Sequence, residues 1–551
     1  MPNLTYEYLN EKQKEVVNFK DNCLLVTGAP GSGKTAVALL KANNFIENTP
    51  LKDYQKVLFL TFSQTAVFQL LSRSKLMDQK KIEIDTYHAF FLRLIQQFSK
   101  YIGFNPGKLL LMKKGERSKI LEEVEGNNGR VAIAQANKRT NRLHFNEFCY
   151  YATEILKGSE SIRNSIYQTY PLIIIDEFQD TSEEQWEFIK LIADKTCLIC
   201  FAGPGQMIYR HLNADPDRLN HLCAWKETTH IELEKESFRD RSGYFMNLGN
   251  IILQDSSLGD FRNDSTKLEL IPIENFYAKG NLLNGKFGVK LKWRVLNYLK
   301  QNQNKTVAIL CYENEDCERV SECFSKKTEK GPKVSHRLIE DEEKMYYLED
   351  LLIDCWLFVN NPSFKDINST FKADVEFLLN HGERNLFNKQ KLTDIQMLSF
   401  LNGIRNRSFE DLIREFCEEF GENKQKIDKL QKRVAKLIET FKAFEAHFEE
   451  QNGEKYKIFF LNKRVQEATK EKYSLYKGVQ VMTLHKSKGR EFDFVIIIHT
   501  DHDPFITKPN EIDSHRELWN VGITRTKEKS LIFYHKDKCC SIIKKIRKND
   551  S

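Results

Sequence analysis

The stretch LLVTGAPGSGKTAVALL at residues 24–40 leaves few folds open to this chain, because an apolar run, a glycine-rich turn and a second apolar run follow one another. Its form G-x-x-x-x-G-K-T needs Gly28 and Gly33, since a Cβ there would keep backbone N–H groups away from phosphate oxygens. Lys34 then reaches the β and γ phosphates, and Thr35 offers a hydroxyl to Mg²⁺. The pattern predicts a strand, a phosphate loop and a helix whose dipole favours an anion. The other predicted ATP-binding residues of the loop are Ala29, Pro30, Gly31 and Ser32.

A second run, YPLIIIDEFQDTSEEQW at residues 170–186, predicts a short buried strand that ends in two adjacent carboxylates, Asp176 and Glu177. This is a Walker B pattern. Asp176 would hold Mg²⁺, and Glu177 would polarise the attacking water. Alone, the run also fits an ordinary strand followed by an acidic helix start. Together with the glycine loop it predicts hydrolysis of ATP with Mg²⁺.

Length and composition set the broad class. A chain of 551 residues with 41 % hydrophobic content can form several packed domains. The net charge of +7 is mild, so any nucleic-acid surface must be local. The first residues, MPNLTYEYLNEKQ, lack a targeting pattern, and no apolar run approaches the ~18 residues of a membrane helix. We therefore expect a cytoplasmic protein with no membrane partner.

The 12 cysteines are scattered along the chain, which in an untargeted protein favours reduced thiols. Cys197 and Cys200 form a C-x-x-C pair inside the apolar run TCLICFAG. No second pair stands at a zinc-like spacing, so the run predicts a strand in which both cysteines are small hydrophobic residues.

The stretch DEFQDTSEEQ resembles the D-E-x-Q-D signature of the UvrD/Rep-type superfamily 1 DNA helicases. Further stretches resemble that family's other motifs in the family's order, and together the matches span residues 9–533. These stretches are LNEKQKEVV, TFSQTAV, DTYHAFF, ESFRD, VMTLHKSKGREFDFVII and LWNVGITRTKEKSLIF.

The resemblance implies roles at the nucleotide. Gln13 would contact the adenine edge, for which its amide has both a donor and an acceptor, and Phe238 would stack on the ring. Glu491 would contact the ribose. Arg239 and Arg525 would act as internal arginine fingers that reach the γ-phosphate.

The resemblance also implies contacts to single-stranded DNA, made by residues that stack on or touch bases. Taken alone, each of these residues also fits an ordinary core position. The predicted DNA-binding residues are Phe62, His88, Tyr209, Thr483 and His485.

The organisation implied by the resemblance is an α/β fold with two RecA-like P-loop domains, each with a mainly helical insertion. The clearest helical pattern lies at residues 427–448, where apolar residues recur every three or four positions. An amphipathic helix inside that insertion is favoured over an intermolecular coiled coil. The predicted boundaries are 1–88 and 165–230 for the first domain, 89–164 for its insertion, 231–340 and 473–551 for the second domain, and 341–472 for its insertion.

One stretch departs from the family. In FAGPGQMIYRHLNA, residues 201–214, Gln206 is kept as the γ-phosphate sensor, and Tyr209 is also kept. His211 and Leu212 replace the aromatic–arginine pair that helps link hydrolysis to movement along the strand. We therefore expect DNA-stimulated ATP hydrolysis with weak, poorly processive unwinding.

The function implied is an ATP-dependent translocase on single-stranded DNA that moves 3′ to 5′ and opens duplex junctions. The alternative is a DNA-sensing ATPase that regulates or clamps a separate nuclease. It draws on a resemblance to compact UvrD-like subunits of phage-defence pairs such as Gabija. A P-loop ATPase that uses no nucleic acid is a third possibility, which the ordered motifs disfavour.

Overall fold

A computed structural model describes the parts of the chain that carry the predicted nucleotide site. The predictions for Tyr209, His211, Leu212 and the helix at 427–448 lie outside the described residues. The described residues are 6–62, 80–104, 110–111, 133–135, 137–138, 142–207, 214–234, 236–240, 242–254, 264–277, 285–326, 332–339, 478–499, 512–536 and 541–548.

The first large sheet is parallel and buried on both faces, as its nearly continuous apolar runs predict. Its strand order is β3-β2-β6-β7-β1-β8, so β1, which leads into the glycine loop, lies between β7 and β8. The predicted strand with Cys197 and Cys200 is confirmed as β7. The strands are β1 (Cys23–Thr27), β2 (Val57–Thr61), β3 (Ile82–Thr86), β6 (Leu172–Ile175), β7 (Cys197–Ala202) and β8 (Thr229–Glu232).

Two helices of this half begin at capping boxes that the sequence encodes. Asn10 and Ser182 each accept a hydrogen bond from the third residue of the helix that follows, and the glutamine there bonds back to the cap. Both caps fix the start of a helix next to a predicted site segment. The helices are α1 (Glu11–Asn18), α2 (Lys34–Asn48), α3 (Tyr87–Phe98), α4 (Phe148–Gly158), α5 (Glu160–Thr169), α6 (Glu183–Ala193) and α7 (Arg218–Trp225).

The second large sheet is also parallel, in the order β11-β12-β10-β13-β14-β9, with a hydrophobic cluster on each face. Its strands are β9 (Leu268–Ile273), β10 (Thr306–Cys311), β11 (His336–Leu338), β12 (Gly478–Thr483), β13 (Phe492–His499) and β14 (Thr526–His535). Its helices are α8 (Tyr244–Gln254), α9 (Gly285–Gln301), α10 (Asn314–Ser325), α11 (Ile512–Ile523) and α12 (Ser541–Lys548).

The chain divides into two compact units, and both large sheets belong to the first. The described part of the second unit contains 3-10 turns at Ser99–Ile102 and Phe145–Glu147, and a parallel pairing of two-residue strands, β4 (Leu110–Leu111) and β5 (Arg142–Leu143). The predicted α/β class with two parallel-sheet domains is confirmed, while the predicted domain boundaries stay predictions. Among the described residues, no helix combines the length and apolar character that crossing a membrane would need.

Candidate active site

The glycine loop joins β1 to α2 and has the backbone that its glycines predict. Gly31 and Gly33 both have φ of 85°, a region that side chains rarely adopt. A Cβ on Gly28 would lie 2.5 Å from the Ser32 Oγ atom. Three glycines are therefore required by conformation or by space, which leaves a backbone cradle at the N-terminus of α2 that fits a phosphate group.

Lys34, the first residue of α2, is buried beneath this loop. Its ammonium donates to the carbonyl oxygens of Gly28 at 2.7 Å and Ala29 at 3.1 Å. Burial lowers the pKa of Lys34 to about 8, although the nearby carboxylates of Glu177 and Asp176 act to raise it. The structure thus places a cation directly under the phosphate cradle.

Thr35 and Asp176 meet although they are far apart in sequence. The Thr35 hydroxyl donates to Asp176 Oδ2 at 3.3 Å, because the start of α2 and the carboxyl end of β6 lie at the same edge of the sheet. Burial, with the Glu177 carboxylate next to it, raises the pKa of Asp176 to about 7. A hydroxyl and a carboxylate are oxygen ligands of the kind that Mg²⁺ prefers, so these residues fit the ion.

Glu177 has an unusual backbone and a fixed side chain. Its φ of 57° is rare for a residue other than glycine and marks local strain. Gln179 donates to Glu177 Oε2 at 2.7 Å and accepts from the Gly203 N–H at 2.9 Å. Burial acts to raise the pKa of Glu177, but the charges of Lys488 and Lys34 outweigh it, and the net shift is downward. The carboxylate is therefore held ionised, as a base requires.

Gln206 lies beside the Lys34 ammonium. A Cβ added to Gly203 would be 2.8 Å from Gln206 Nε2 and 3.3 Å from Lys34 Nζ, so both groups face the same glycine. Gln206 Oε1 accepts from Arg525 at 3.4 Å. Its Nε2 is buried and has no hydrogen-bond partner among the described residues. A buried donor of this kind fits the predicted sensor of a phosphate oxygen.

Arg525 reaches this site from the second sheet. It lies between α11 and β14, is 2 % exposed, and donates from Nε to the Val521 carbonyl at 2.9 Å. Burial, with Arg239 nearby, lowers its pKa, yet a guanidinium stays charged over the working range of pH. The structure therefore brings both predicted arginine fingers to one site.

Arg239 is held by residues of the second half of the chain. Its Nε atom pairs with Glu491 Oε1 at 3.1 Å, and its Nη1 atom donates to the Thr524 carbonyl. Glu491 also lies 3.5 Å from Lys527. The structure therefore gives Glu491 two cationic partners, while its predicted ribose contact stays a prediction.

Gln13 and Phe238 flank the glycine loop. A Cβ on Gly33 would lie 3.1 Å from Gln13 Nε2 and 3.6 Å from the Phe238 ring. Gln13 Nε2 donates to the Ser32 carbonyl at 3.1 Å, and the Phe238 N–H donates to the Gly31 carbonyl at 2.9 Å. With 49 % of Phe238 exposed, the ring offers a flat face beside the loop, as adenine stacking would need.

Two residues of the second half of the chain make contacts with the first sheet's loops that the sequence did not lead us to predict. Lys488, in the turn after β12, donates to Asp180 Oδ2 and to the Gln206 carbonyl at 2.7 Å. Asn520 on α11 donates to the Gly205 carbonyl at 3.0 Å. Lys488, Asp180 and Asn520 all lie inside quoted family motifs, so position within a motif was the available indication.

The described candidates for DNA contact lie at the carboxyl edge of each sheet. Phe62 follows β2, with its ring 4.9 Å from that of Tyr87, and His88 is exposed at the start of α3. Thr483 ends β12 and is buried, and His485 follows in a 3-10 turn. Their contact with DNA stays a prediction.

Comparison with known proteins supports the interpretation of this site as a helicase nucleotide site. Residues 9–136 and 130–224 match the UvrD/REP helicase N-terminal domain, and residues 377–537 match the UvrD-like helicase C-terminal domain. The chain is 24 % identical to the ATP-dependent DNA helicase Rep of Buchnera aphidicola subsp. Acyrthosiphon pisum, over 96 % of this chain and 94 % of that protein. It is 22 % identical to DNA helicase II of Haemophilus influenzae, over 96 % and 84 %. It is 21 % identical to the ATP-dependent DNA helicase PcrA of Staphylococcus aureus, over 96 % and 83 %.

The two matched domains together cover more than half of the chain. The chain belongs to the UvrD/Rep family of helicases, which confirms the resemblance carried by its motifs. It is an ATP-hydrolysing enzyme of the DNA helicase class.

Proposed function

We propose that this protein is an ATP-driven translocase that moves 3′ to 5′ on single-stranded DNA and opens duplex junctions. The observation that carries the proposal is the contact of Arg525, from the second sheet, with Gln206 beside the Lys34 ammonium of the first sheet. A site that needs groups from two domains turns over only when they meet, so each hydrolysis cycle can open and close the cleft between them.

The chain supplies side chains for each part of phosphoryl transfer except the metal ion. Lys34, Arg239 and Arg525 place positive charge where negative charge develops on the transferred phosphoryl group. Glu177 orients the attacking water and accepts its proton. Thr35 and Asp176 would hold Mg²⁺, which when bound supplies charge neutralisation for the phosphates. Gln13 and Phe238 would select and stack the adenine base.

Movement along DNA requires that a conformational change at the nucleotide site be transmitted to the residues that contact the DNA. The loops after β6 and β7 receive Lys488 and Asn520 from the second sheet. Phe62 and His88 follow β2 and β3 at the same carboxyl edge of the first sheet. A change in the nucleotide site can therefore shift the residues proposed to grip the strand. Relatives that are named ATP-dependent DNA helicases support this function.

Strand displacement tests the proposal. Duplexes with a 3′ single-stranded tail, a 5′ tail or no tail are incubated with ATP and Mg²⁺, with Glu177→Gln as the inactive control. We expect release from the 3′-tailed substrate alone. Equal release from 5′-tailed duplexes would contradict the direction, and ATP-independent release would contradict the motor.

A DNA-sensing ATPase that regulates a separate nuclease is the second candidate, and the sequence departure at His211 and Leu212 favours it. The sensor Gln206 is kept, but an imidazole and a leucine supply neither a large ring nor a permanent charge. Strand displacement by the protein alone, and with the product of its neighbouring gene added, separates the two functions. Strong unwinding by the protein alone would reject the regulatory function. Efficient unwinding at a yield that the double substitution His211→Trp, Leu212→Arg does not improve would show that this chain couples hydrolysis to movement by another route.

A further inference from the structure

Arg218 is a buried arginine that none of the predicted roles uses. It is the first residue of α7 and has no exposed surface. Its Nε atom donates to the Thr181 carbonyl at 3.2 Å, and its Nη2 atom donates to Glu183 at 2.8 Å and lies 3.3 Å from Asp215 Oδ2. A buried charge is costly unless such partners compensate it, so this guanidinium is specifically accommodated.

Aromatic rings pack against the Arg218 guanidinium and against one another. The guanidinium lies over the Trp186 ring, 5.6 Å from its centroid. Trp186 in turn packs edge to face on Phe178 and Trp225, at 5.8 and 5.3 Å between centroids. Phe178 belongs to the turn that carries Glu177, so the packing joins α7 to the catalytic turn.

The carboxylates around Arg218 could be mistaken for a metal site. Glu183, Asp215 and His221 each offer a ligand atom, and these atoms lie within 4.8 Å of one another. Arg218 contacts all three, including His221 Nδ1 at 3.3 Å. A metal ion there would lie beside the positive charge of Arg218, which disfavours its binding. The three side chains are therefore the partners of the arginine.

Arg218 connects the turn that follows Asp180 to the chain around Asp215. Thr181 and Glu183 lie one and three residues after Asp180, which accepts a hydrogen bond from Lys488 of the second sheet. Asp215 follows residues 208–213, the stretch that contains the proposed DNA contact Tyr209. An antiparallel bridge between Ser182 and Ala214 joins the same two segments.

The other end of that stretch is held from the second sheet. Gln206, which precedes residues 208–213, accepts from Lys488 through its carbonyl and from Arg525 through its side chain. Both flanks of the stretch are therefore linked, directly or through the turn at Asp180, to residues of the second sheet. On the carboxyl-terminal side of the stretch, the link is made by the contacts of Arg218 and by the bridge between Ser182 and Ala214.

From this geometry we infer that Arg218 is a positioning residue that couples the Asp180–Glu183 turn to the chain after residue 213, so that the state of the ATP site reaches the DNA-contacting stretch. The inference rests on the proposed function. In this chain His211 and Leu212 cannot supply a permanently charged link, whereas Arg218 provides a guanidinium four residues after Ala214.

The test compares Arg218→Gln, Arg218→Lys and the double variant Glu183→Gln, Asp215→Asn. Arg319→Gln is the matched control, because Arg319 also pairs with two carboxylates and lies over an aromatic ring, that of Tyr277. ATP hydrolysis is measured without DNA and with an oligo-dT strand, together with base pairs opened per ATP and the melting temperature. Glu183 is largely exposed, so the double variant should fold even if Arg218→Gln does not.

We expect Arg218→Gln to keep its DNA-free hydrolysis within about twofold and to lose DNA stimulation by roughly three- to thirtyfold, the range typical of altered coupling. Arg218→Lys should keep part of the stimulation. The double variant Glu183→Gln, Asp215→Asn should lose stimulation, as Arg218→Gln does. Arg319→Gln should keep full stimulation.

Full stimulation in Arg218→Gln and in the double variant would overturn the inference. An equal loss of DNA-free and DNA-stimulated hydrolysis in the double variant would also overturn it, because that pattern shows a structural role alone. If the unmodified protein showed no DNA stimulation, the proposed function itself would fail, which is a distinguishable result.

Discussion

The Lys488 ammonium, in the turn after β12, donates to Asp180 in the turn after β6, and both side chains are buried. One comes from each parallel sheet, so the pair forms only when the two halves of the site meet. Burial raises the pKa of Asp180 to about 7 even though Lys488 acts to lower it. The pair is thus costly to break by removing one partner alone.

A double-mutant cycle of Lys488→Met and Asp180→Asn tests this relationship. Each single change should reduce kcat/KM for ATP, since it leaves a buried group without its partner. The double variant should lose less than the two single losses combined, with a coupling of roughly 1–3 kcal/mol. Strictly additive effects would show that the pair does not act as a unit.

Lys34→Ala should abolish ATP hydrolysis. The ammonium lies under the phosphate cradle at 2.7 Å from the Gly28 carbonyl, and no other described lysine occupies that position. Its charge serves the phosphates in the ground state and in the transition state. Steady-state hydrolysis measures the loss, and near-normal turnover would reject the P-loop assignment.

Glu177→Gln should bind ATP normally and hydrolyse it far more slowly, because the amide keeps the shape of the side chain but cannot accept a proton. Nucleotide binding followed by fluorescence and single-turnover hydrolysis separate the two steps. Gln179→Ala is a useful companion, since it removes the hydrogen bond to Glu177 and should reduce kcat less. Loss of ATP binding in Glu177→Gln would instead mark Glu177 as structural.

Arg525→Ala and Arg239→Ala should each lower kcat by about 10³-fold with little change in KM, as expected for charges used mainly in the transition state. Glu491→Gln is the matched control for Arg239, because it removes the arginine's carboxylate partner and keeps the guanidinium. It should have a smaller effect on kcat. A change confined to KM in the arginine variants would argue against finger roles.

The local parts of the site could be predicted from the sequence because spacing dictates them. Gly31 and Gly33 need positive φ, Lys34 must begin α2, and Asp176 must end a buried strand. Each of these positions follows from a few consecutive residues and from the geometry of a strand, a loop and a helix.

The long-range contacts could not be predicted in the same way. Lys488 and Asp180 are 308 residues apart, and Asn520 meets Gly205 across a comparable separation. Their meeting depends on how the two sheets pack, which no local pattern encodes. Arg218 was missed for another reason, since a single arginine at a helix start normally indicates an exposed residue.

The central claim is that groups from two domains form one ATP site that DNA controls. The most direct test is the rate of ATP hydrolysis by the full chain against increasing single-stranded DNA, with duplex DNA and RNA in parallel and Arg525→Ala as the control for contaminating ATPase. We predict saturable stimulation by single-stranded DNA, weakened by salt as counterions compete for the phosphates, and none in Arg525→Ala. Hydrolysis that proceeds at the same rate with and without every nucleic acid would contradict the account.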